Sequence, residues 1–284
     1  MPQLVWLITG CSSGFGSAFV SEILARGDLV IATSRNVDKI AHLSQPGVDL
    51  LKLDVNDTQE SLDKTVAAAI NIHGKIDVLV NNAGYIVTGS WEDIKDEDLI
   101  AQFNTNVFGP VRVTRAVLPH MRARKEGALV FMGSRSGWYG DPFCGPYSGS
   151  KFALEGMVES LRWETAQFGI RTLLVDPGRF RTGFLSSAGN LGVAQPKVEA
   201  YKEAYKTFLG YLAAEDGQQP GDVTKGVKVI VDLVRREGAA KDAEAPFRLL
   251  LGSDCYDTVK EKCEETLKVL KAWEHVTKST DLLS

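Results

Sequence analysis

Seven short runs of aliphatic and β-branched residues recur along the chain: LVWLIT (4–9), LVIAT (29–33), DLLKL (49–53), DVLV (77–80), ALVFMG (128–133), RTLLV (171–175) and FRLLL (247–251). Several are apolar at consecutive positions rather than alternating, the pattern of strands covered on both faces. Between them lie longer stretches with helical spacing of apolar residues, near 15–26, 58–73, 97–124, 148–168, 222–236 and 255–275. In the last, Val259, Cys263, Leu267 and Leu270 follow one another at four, four and three residues and predict one apolar stripe. This alternation of periods predicts βαβ units. The expected fold is α/β, a Rossmann-type doubly wound parallel sheet of about seven strands with helices on both faces. No repeat or Pro/Gly/Ser linker divides the chain, so a single domain over 1–284 is expected. The one irregular stretch, 178–220, falls between the last two strands on the side where α/β folds place ligands, and reads as a lid.

Composition changes this picture little. The chain carries 44% hydrophobic and 24% charged residues, ordinary for a globular domain. A net charge of −4 with Lys and Arg spread along the chain argues against a nucleic-acid binder, which would concentrate basic charge. The apolar run at the N-terminus, Leu4 to Thr9, is too short for a signal peptide or a membrane span, and the chain reads as cytoplasmic. Cys11, Cys144, Cys255 and Cys263 have no metal-type spacing, so they are expected as buried or free thiols and no metal site is expected.

Candidate chemistry starts at the end of the first predicted strand. Gly10, Ser12, Ser13, Gly14, Phe15 and Gly16 lie in a GxxxGxG loop that opens the first helix. Glycines there let the backbone turn tightly and approach a pyrophosphate, and the helix N-terminus offers free N–H groups. The second strand runs into Ser34-Arg35-Asn36, with no acid between Val30 and Val37. An acid at this place holds a ribose 2′-hydroxyl, whereas a guanidinium matches a 2′-phosphate, so NADP(H) is favoured over NAD(H). Asp54-Val55 and Asn82-Ala83-Gly84 close the next two strands on the same edge.

Tyr147 and Lys151 stand four residues apart at the start of a predicted helix and share one of its faces. A phenol with a pKa near ~10 is a weak acid–base group at neutral pH, and a nearby ammonium is expected to lower it by about 1–3 units. Such a pair can give a proton to a carbonyl oxygen or take one from an alcohol. Asn106 lies four residues before Pro110 in the predicted long helix. Proline has no N–H for that carbonyl and its ring crowds it, so a local break is expected, leaving the Asn106 carbonyl for a water.

With TGCSSGFG, DV, NNAG, an Asn on the long helix, a Ser thirteen residues before the Tyr, YSGSK, and DPG followed by Thr, the chain resembles the main branch of the short-chain dehydrogenase/reductase family. The C-terminal PFRLLLGSDCYDTVKEK resembles its steroid- and retinol-dehydrogenase-like members and microbial ketoreductases. The resemblance implies NAD(P)-dependent hydride transfer with an Asn-Ser-Tyr-Lys tetrad, here Asn106, Ser134, Tyr147 and Lys151. It selects Ser134 over Ser136, assigns Lys151 the nicotinamide ribose as well, and sets Pro177, Gly178 and Thr182 around the cofactor. It also implies pairing of the two long helices across subunits, in a homodimer or homotetramer. Asp176 stands where the family often has Asn, with little expected consequence beyond a charge that needs a partner.

Specificity is expected from Tyr85, from Trp138, Tyr139, Phe143 and Cys144, and from the lid. There Tyr201, Tyr205, Phe208 and Tyr211 recur at helical spacing and are read mainly as packing the lid to the body. A medium-sized, largely apolar substrate follows. NADPH-dependent reduction of a ketone or aldehyde is the first reading. NAD(P)+-dependent alcohol oxidation, non-redox chemistry on the same tetrad, and a non-catalytic nucleotide-binding homologue stay open.

Overall fold

In the computed structural model, which describes residues 2–185, 190–238, 241 and 244–282, the seven predicted strands form one parallel sheet. They are β1 (Val5–Ile8), β2 (Leu29–Ser34), β3 (Val48–Lys52), β4 (Val78–Asn81), β6 (Gly127–Met132), β7 (Ile170–Pro177) and β9 (Arg248–Leu251). The order is β3-β2-β1-β4-β6-β7-β9, so the chain moves outward one way from β1 and then returns past it to build the other half. That reversal opens a crevice at the carboxyl ends of β1 and β4. The fold is a single Rossmann-like α/β domain.

Side chains of a strand alternate between faces, and here both faces find helices. Trp6, Ile8, Val30, Val78, Val80 and Val130 pack on one side with Phe19 and Ile23 of α1 (Gly14–Ala25) and Val227, Ile230 and Val231 of α7 (Val223–Arg235). Val5, Leu7, Ile31, Leu79, Leu129 and Leu174 pack on the other with Leu62 and Val66 of α2 (Gln59–His73), Val113 and Val117 of α4 (Gly109–Arg124), and Leu154 and Val158 of α5 (Gly145–Ala166). This two-sided burial explains why the strands lack polar alternation.

The predicted helix over 97–124 is two helices. α3 (Asp96–Phe103) ends in a π turn over Asn104–Phe108, in which the Gly109 N–H reaches back to the Asn104 carbonyl, and α4 begins there with Pro110 in its first turn. The break expected from Pro110 is therefore present as a π-type turn. Two short strands have no precedent in the sequence pattern: β5 (Ile86–Thr88) pairs in parallel with β8 (Leu191–Val193). Within the stretch 178–220, which also holds α6 (Lys202–Glu215), residues 186–189 lie outside the described residues. The last helix, α8 (Ser253–Lys278), covers the predicted 255–275 and runs past it at both ends. Only Cys255 and Val259 of it are buried, whereas Cys263, Leu267 and Leu270 of the expected stripe are exposed.

Behind α1, a buried ion pair ties the start of the chain to α7. Asp28 accepts from the Leu4 N–H (3.0 Å), the Trp6 indole N–H (2.9 Å) and Arg235, whose Nη1 donates to both carboxylate oxygens at 2.5 and 2.6 Å. Breaking a buried pair leaves an uncompensated charge, so Asp28→Ala is expected to cost about 3–5 kcal/mol. Urea unfolding measures this, and a loss under about 1 kcal/mol would show that the pair is not an anchor.

Candidate active site

The glycine loop is held from beneath by polar groups. The buried Thr9 hydroxyl accepts from the N–H groups of Asn82 (3.0 Å) and Ala83 (3.1 Å), and the Asn82 amide donates to the carbonyls of Thr9 and Gly10, each at 2.9 Å. Gly10 has φ +73°, and a Cβ on Gly16 would collide with the Gly10 carbonyl, so the loop and first helical turn can lie this close only as glycines. Asn82 and Ala83, singled out in the sequence as cofactor residues, thus hold the loop's shape; Thr9, which does the same work, was visible in the motif only as its first letter. Ser13 caps α1 with no side-chain hydrogen bond. The first N–H groups of a helix have no intrahelical acceptor, which leaves this turn an anion-binding end.

The loop after β7 closes over this end. Thr182 lies 3.4 Å from where a side chain on Gly14 would begin, and the Phe15 and Phe180 rings meet with centroids 5.1 Å apart. Pro177 ends β7, and Gly178 donates to the Leu251 carbonyl (2.8 Å) with Asp254 packed where its side chain would be. At the end of β2, Ser34 is buried and accepts from the Asn36 N–H (3.3 Å). Asn36 caps the following turn by accepting from the Asp38 N–H at 2.9 Å. Arg35 is exposed and makes no ion pair among the described residues. Asp54 accepts from the Asn56 N–H (3.0 Å), and Val55 is buried against Gly109. Gly84 sits against Asn106.

Across the sheet edge, β6 delivers Ser134 and the first turns of α5 deliver Tyr147 and Lys151, all three buried. The expected effect of Lys151 on Tyr147 is corrected here. The Lys151 Nζ donates to the Met132 carbonyl at 2.7 Å and sits 5.7 Å from the centroid of the Tyr147 ring, over its face rather than at its hydroxyl. Burial pushes the Tyr147 phenol up to about 12, against the pull of its hydrogen bond with Ser134. Burial likewise draws the Lys151 ammonium down to about 8, opposed by the charges of Glu155 and Asp176. The phenol is consequently a neutral, protonated acid at pH 7.

Asn106 is buried at the π turn and clasps the Tyr85 backbone. Its Oδ1 accepts from the Tyr85 N–H (3.1 Å), and its Nδ2 donates to the Tyr85 carbonyl (2.9 Å) and to the Ser150 hydroxyl (3.2 Å). Ser150 donates in turn to the Tyr147 carbonyl at 2.7 Å. The amide therefore fixes the first turn of α5 relative to β4. Gln102 makes a similar clasp, accepting from the Val87 N–H (2.7 Å) and donating to the Tyr85 carbonyl (2.6 Å), and nothing in the sequence distinguished it.

Around Tyr147 the walls are apolar: Ile86 and Cys144, with Phe184, Leu191 and Phe208 packed against them. Tyr205 and Phe208 meet Phe143 at 5.2 and 5.6 Å between centroids, whereas Tyr201 and Tyr211 are exposed and bonded to Glu92 and Arg179. The aromatic stripe thus divides, one half packing inward. Trp138 does not belong to this cluster. Its indole N–H donates to Asp176 (3.0 Å) and Arg248 stacks 4.6 Å from its ring centroid.

This sheet order, the glycine loop at its crevice and the Ser-Tyr-Lys edge define an oxidoreductase architecture, and the chain belongs to the short chain dehydrogenase family, whose model matches residues 4–190. An uncharacterized oxidoreductase of Bacillus subtilis is 37% identical over 246 residues, 84% of this chain and 86% of that one. Human retinol dehydrogenase 8 is 34% identical over 242 residues, 81% of this chain and 78% of that protein. Among solved structures, a short-chain dehydrogenase from Streptomyces avermitilis shares 36% identity and a TM-score of 0.86, covering 99% of this chain and 100% of its own.

Proposed function

We propose that this oxidoreductase reduces a ketone or aldehyde to an alcohol with NADPH, using Tyr147 as the proton donor. The observation that carries the reading is a buried phenol beside Ser134, one helical turn from Lys151 and packed among the apolar side chains of Ile86, Cys144, Phe184, Leu191 and Phe208. The residues fit a dinucleotide: the free first turn of α1 at Ser12–Phe15 suits a pyrophosphate, and Arg35 and Ser34 suit a 2′-phosphate. Gly10, Gly14, Gly16, Asn36, Asp54, Val55, Asn82, Ala83, Gly84, Pro177, Gly178 and Thr182 would shape its walls, and Lys151 would hold the nicotinamide ribose. The nicotinamide supplies the hydride when bound.

Ser134 donates to the substrate oxygen and stabilises the charge that develops there. Tyr147 releases its proton to the same oxygen, and the Lys151 ammonium offsets the phenolate left behind. Asn106 holds the Tyr147 turn in register through Ser150. Phe184, Leu191 and Phe208 suit a medium-sized apolar substrate under a lid formed by the described residues of 178–220. Exposed Phe108 at the π turn, with Phe152, Met157 and Trp163 on α5, suits pairing in a homodimer or homotetramer. No helix among the described residues is long and apolar enough to cross a membrane.

A panel of apolar ketones and aldehydes, followed by loss of NADPH absorbance with NADH alongside, tests the proposal. At least one carbonyl is expected to be reduced with NADPH preferred. Absence of turnover on every carbonyl, with alcohols oxidised instead, would overturn the direction.

A further inference from the structure

One turn beyond Lys151, and behind it, lie two carboxyl groups that the reaction above does not use. Glu155 of α5 and Asp176 of β7 are both buried, at 4% and 0% exposure. Each has one oxygen, Glu155 Oε1 and Asp176 Oδ1, that is buried and receives no hydrogen bond from any N–H or O–H. The two side chains lie within hydrogen-bonding reach of each other. The fold makes room for them: a Cβ on Gly133 would collide with Asp176 Oδ1, and one on Gly137 would collide with Glu155 Oε1.

Every charged or titratable group facing the pair is accounted for. From α5 come Lys151, committed to the Met132 carbonyl, and the exposed Glu159, which shares Arg248 at 3.9 Å. From β9 comes Arg248, 3.3 Å from Glu155 Oε2 and 3.7 Å from Asp176 Oδ2. From the turn after β6 come the Trp138 indole, which donates to Asp176, and Arg135, which pairs with Asp141. From α8 come the Cys255 thiol, which donates to the Asp176 carbonyl, and Asp254, which takes Arg179. None of these donors reaches the two orphan oxygens. Two bare carboxylates in contact repel and leave both acceptors empty, whereas one proton turns the two acceptors into a donor and its partner.

We propose that Glu155 and Asp176 share a single proton and together present Lys151 with one buried negative charge, making them positioning residues for the Tyr147–Lys151 centre. Burial first, and the neighbouring Asp176 charge second, push the Glu155 carboxyl well above the carboxylate range, and burial raises Asp176 as well. The part of this proposal that concerns catalysis rests on the function proposed above.

A cycle of Glu155→Gln, Asp176→Asn and the double variant tests it. Each single amide supplies the missing donor and keeps one negative charge in the pair, so both singles are expected to keep the alkaline limb of kcat/KM for NADPH-driven reduction within about 0.3 pH units of the parent. The double variant removes the charge, and its limb is expected to move about 1 unit or more to lower pH, because an unopposed buried ammonium loses its proton earlier. Single shifts that add up to the double shift would overturn the shared proton.

A second readout needs no turnover. A group whose folded pKa is raised stabilises below its unfolded pKa, and that contribution is lost as pH rises through the folded value. Relative to each single variant, the parent's unfolding constant should therefore rise about tenfold per pH unit from about pH 5 to 8. The same pH slope in parent and singles would overturn the proposal, as a merely structural role moves stability equally at all pH. If the parent reduces no carbonyl, the function proposed above fails while the unfolding slopes still decide the proton.

Discussion

Tyr147→Phe is expected to lower carbonyl reduction by about 10²–10⁴-fold, the range set by loss of a positioned general acid. Every other property should hold. The Tyr147 ring packs against Phe184, at 6.1 Å between centroids, and within the cluster of Ile86 and Cys144, contacts that phenylalanine retains. The substitution removes the phenol's hydrogen bond with Ser134, a loss of about 1 kcal/mol or less because the Ser134 oxygen still accepts from the Ser136 N–H at 3.1 Å. NADPH binding, read by fluorescence titration, and the melting temperature should both stay near the parent's. Undiminished turnover would sink the assignment of the proton donor. A collapsed melting temperature would show instead that the hydroxyl is structural.

Arg35→Asp should reverse the preference between NADPH and NADH, with the ratio of the two kcat/KM values falling by about 10²-fold. Each charge-assisted hydrogen bond to a phosphate contributes about 1.5–3 kcal/mol, and the new carboxylate both repels a phosphate and can accept from a ribose hydroxyl. Arg35 is exposed and unpaired among the described residues, so stability should change by no more than about 0.5 kcal/mol. Parallel titrations with the two cofactors check this, and an unchanged ratio would refute the phosphate role.

Much of the frame was legible in the residues. Runs such as VWLI announced strands covered on both sides, and GxxxGxG after the first of them marked the crevice. Pro110 announced the interruption at Asn106, because a missing N–H is a property of one residue and needs no partner to be known. What failed were statements about contact. Four residues on a helix do put Tyr147 and Lys151 on one face, yet the ammonium is drawn to the Met132 carbonyl and lies over the ring, so burial governs the phenol. Trp138 read as a substrate-facing aromatic because it follows Ser134, but it is spent on Asp176. The stripe on α8 has the right period, and beyond Val259 nothing in the described chain packs on it.

By itself the sequence determined the period of each element, the turn chemistry at the crevice and the residue types able to move a proton, because all of these act over a few neighbouring positions. Only the tertiary structure decided what surrounds each charge. Glu155, Asp176 and Arg248 are 21 and 72 residues apart in succession, and β7 and β9 become neighbours only when the sheet closes. The low-dielectric pocket they form behind Lys151 is a property of that closure. Whether a carboxyl there is charged depends on how far water and its partners are held from it, and spacing along a chain carries no record of either distance.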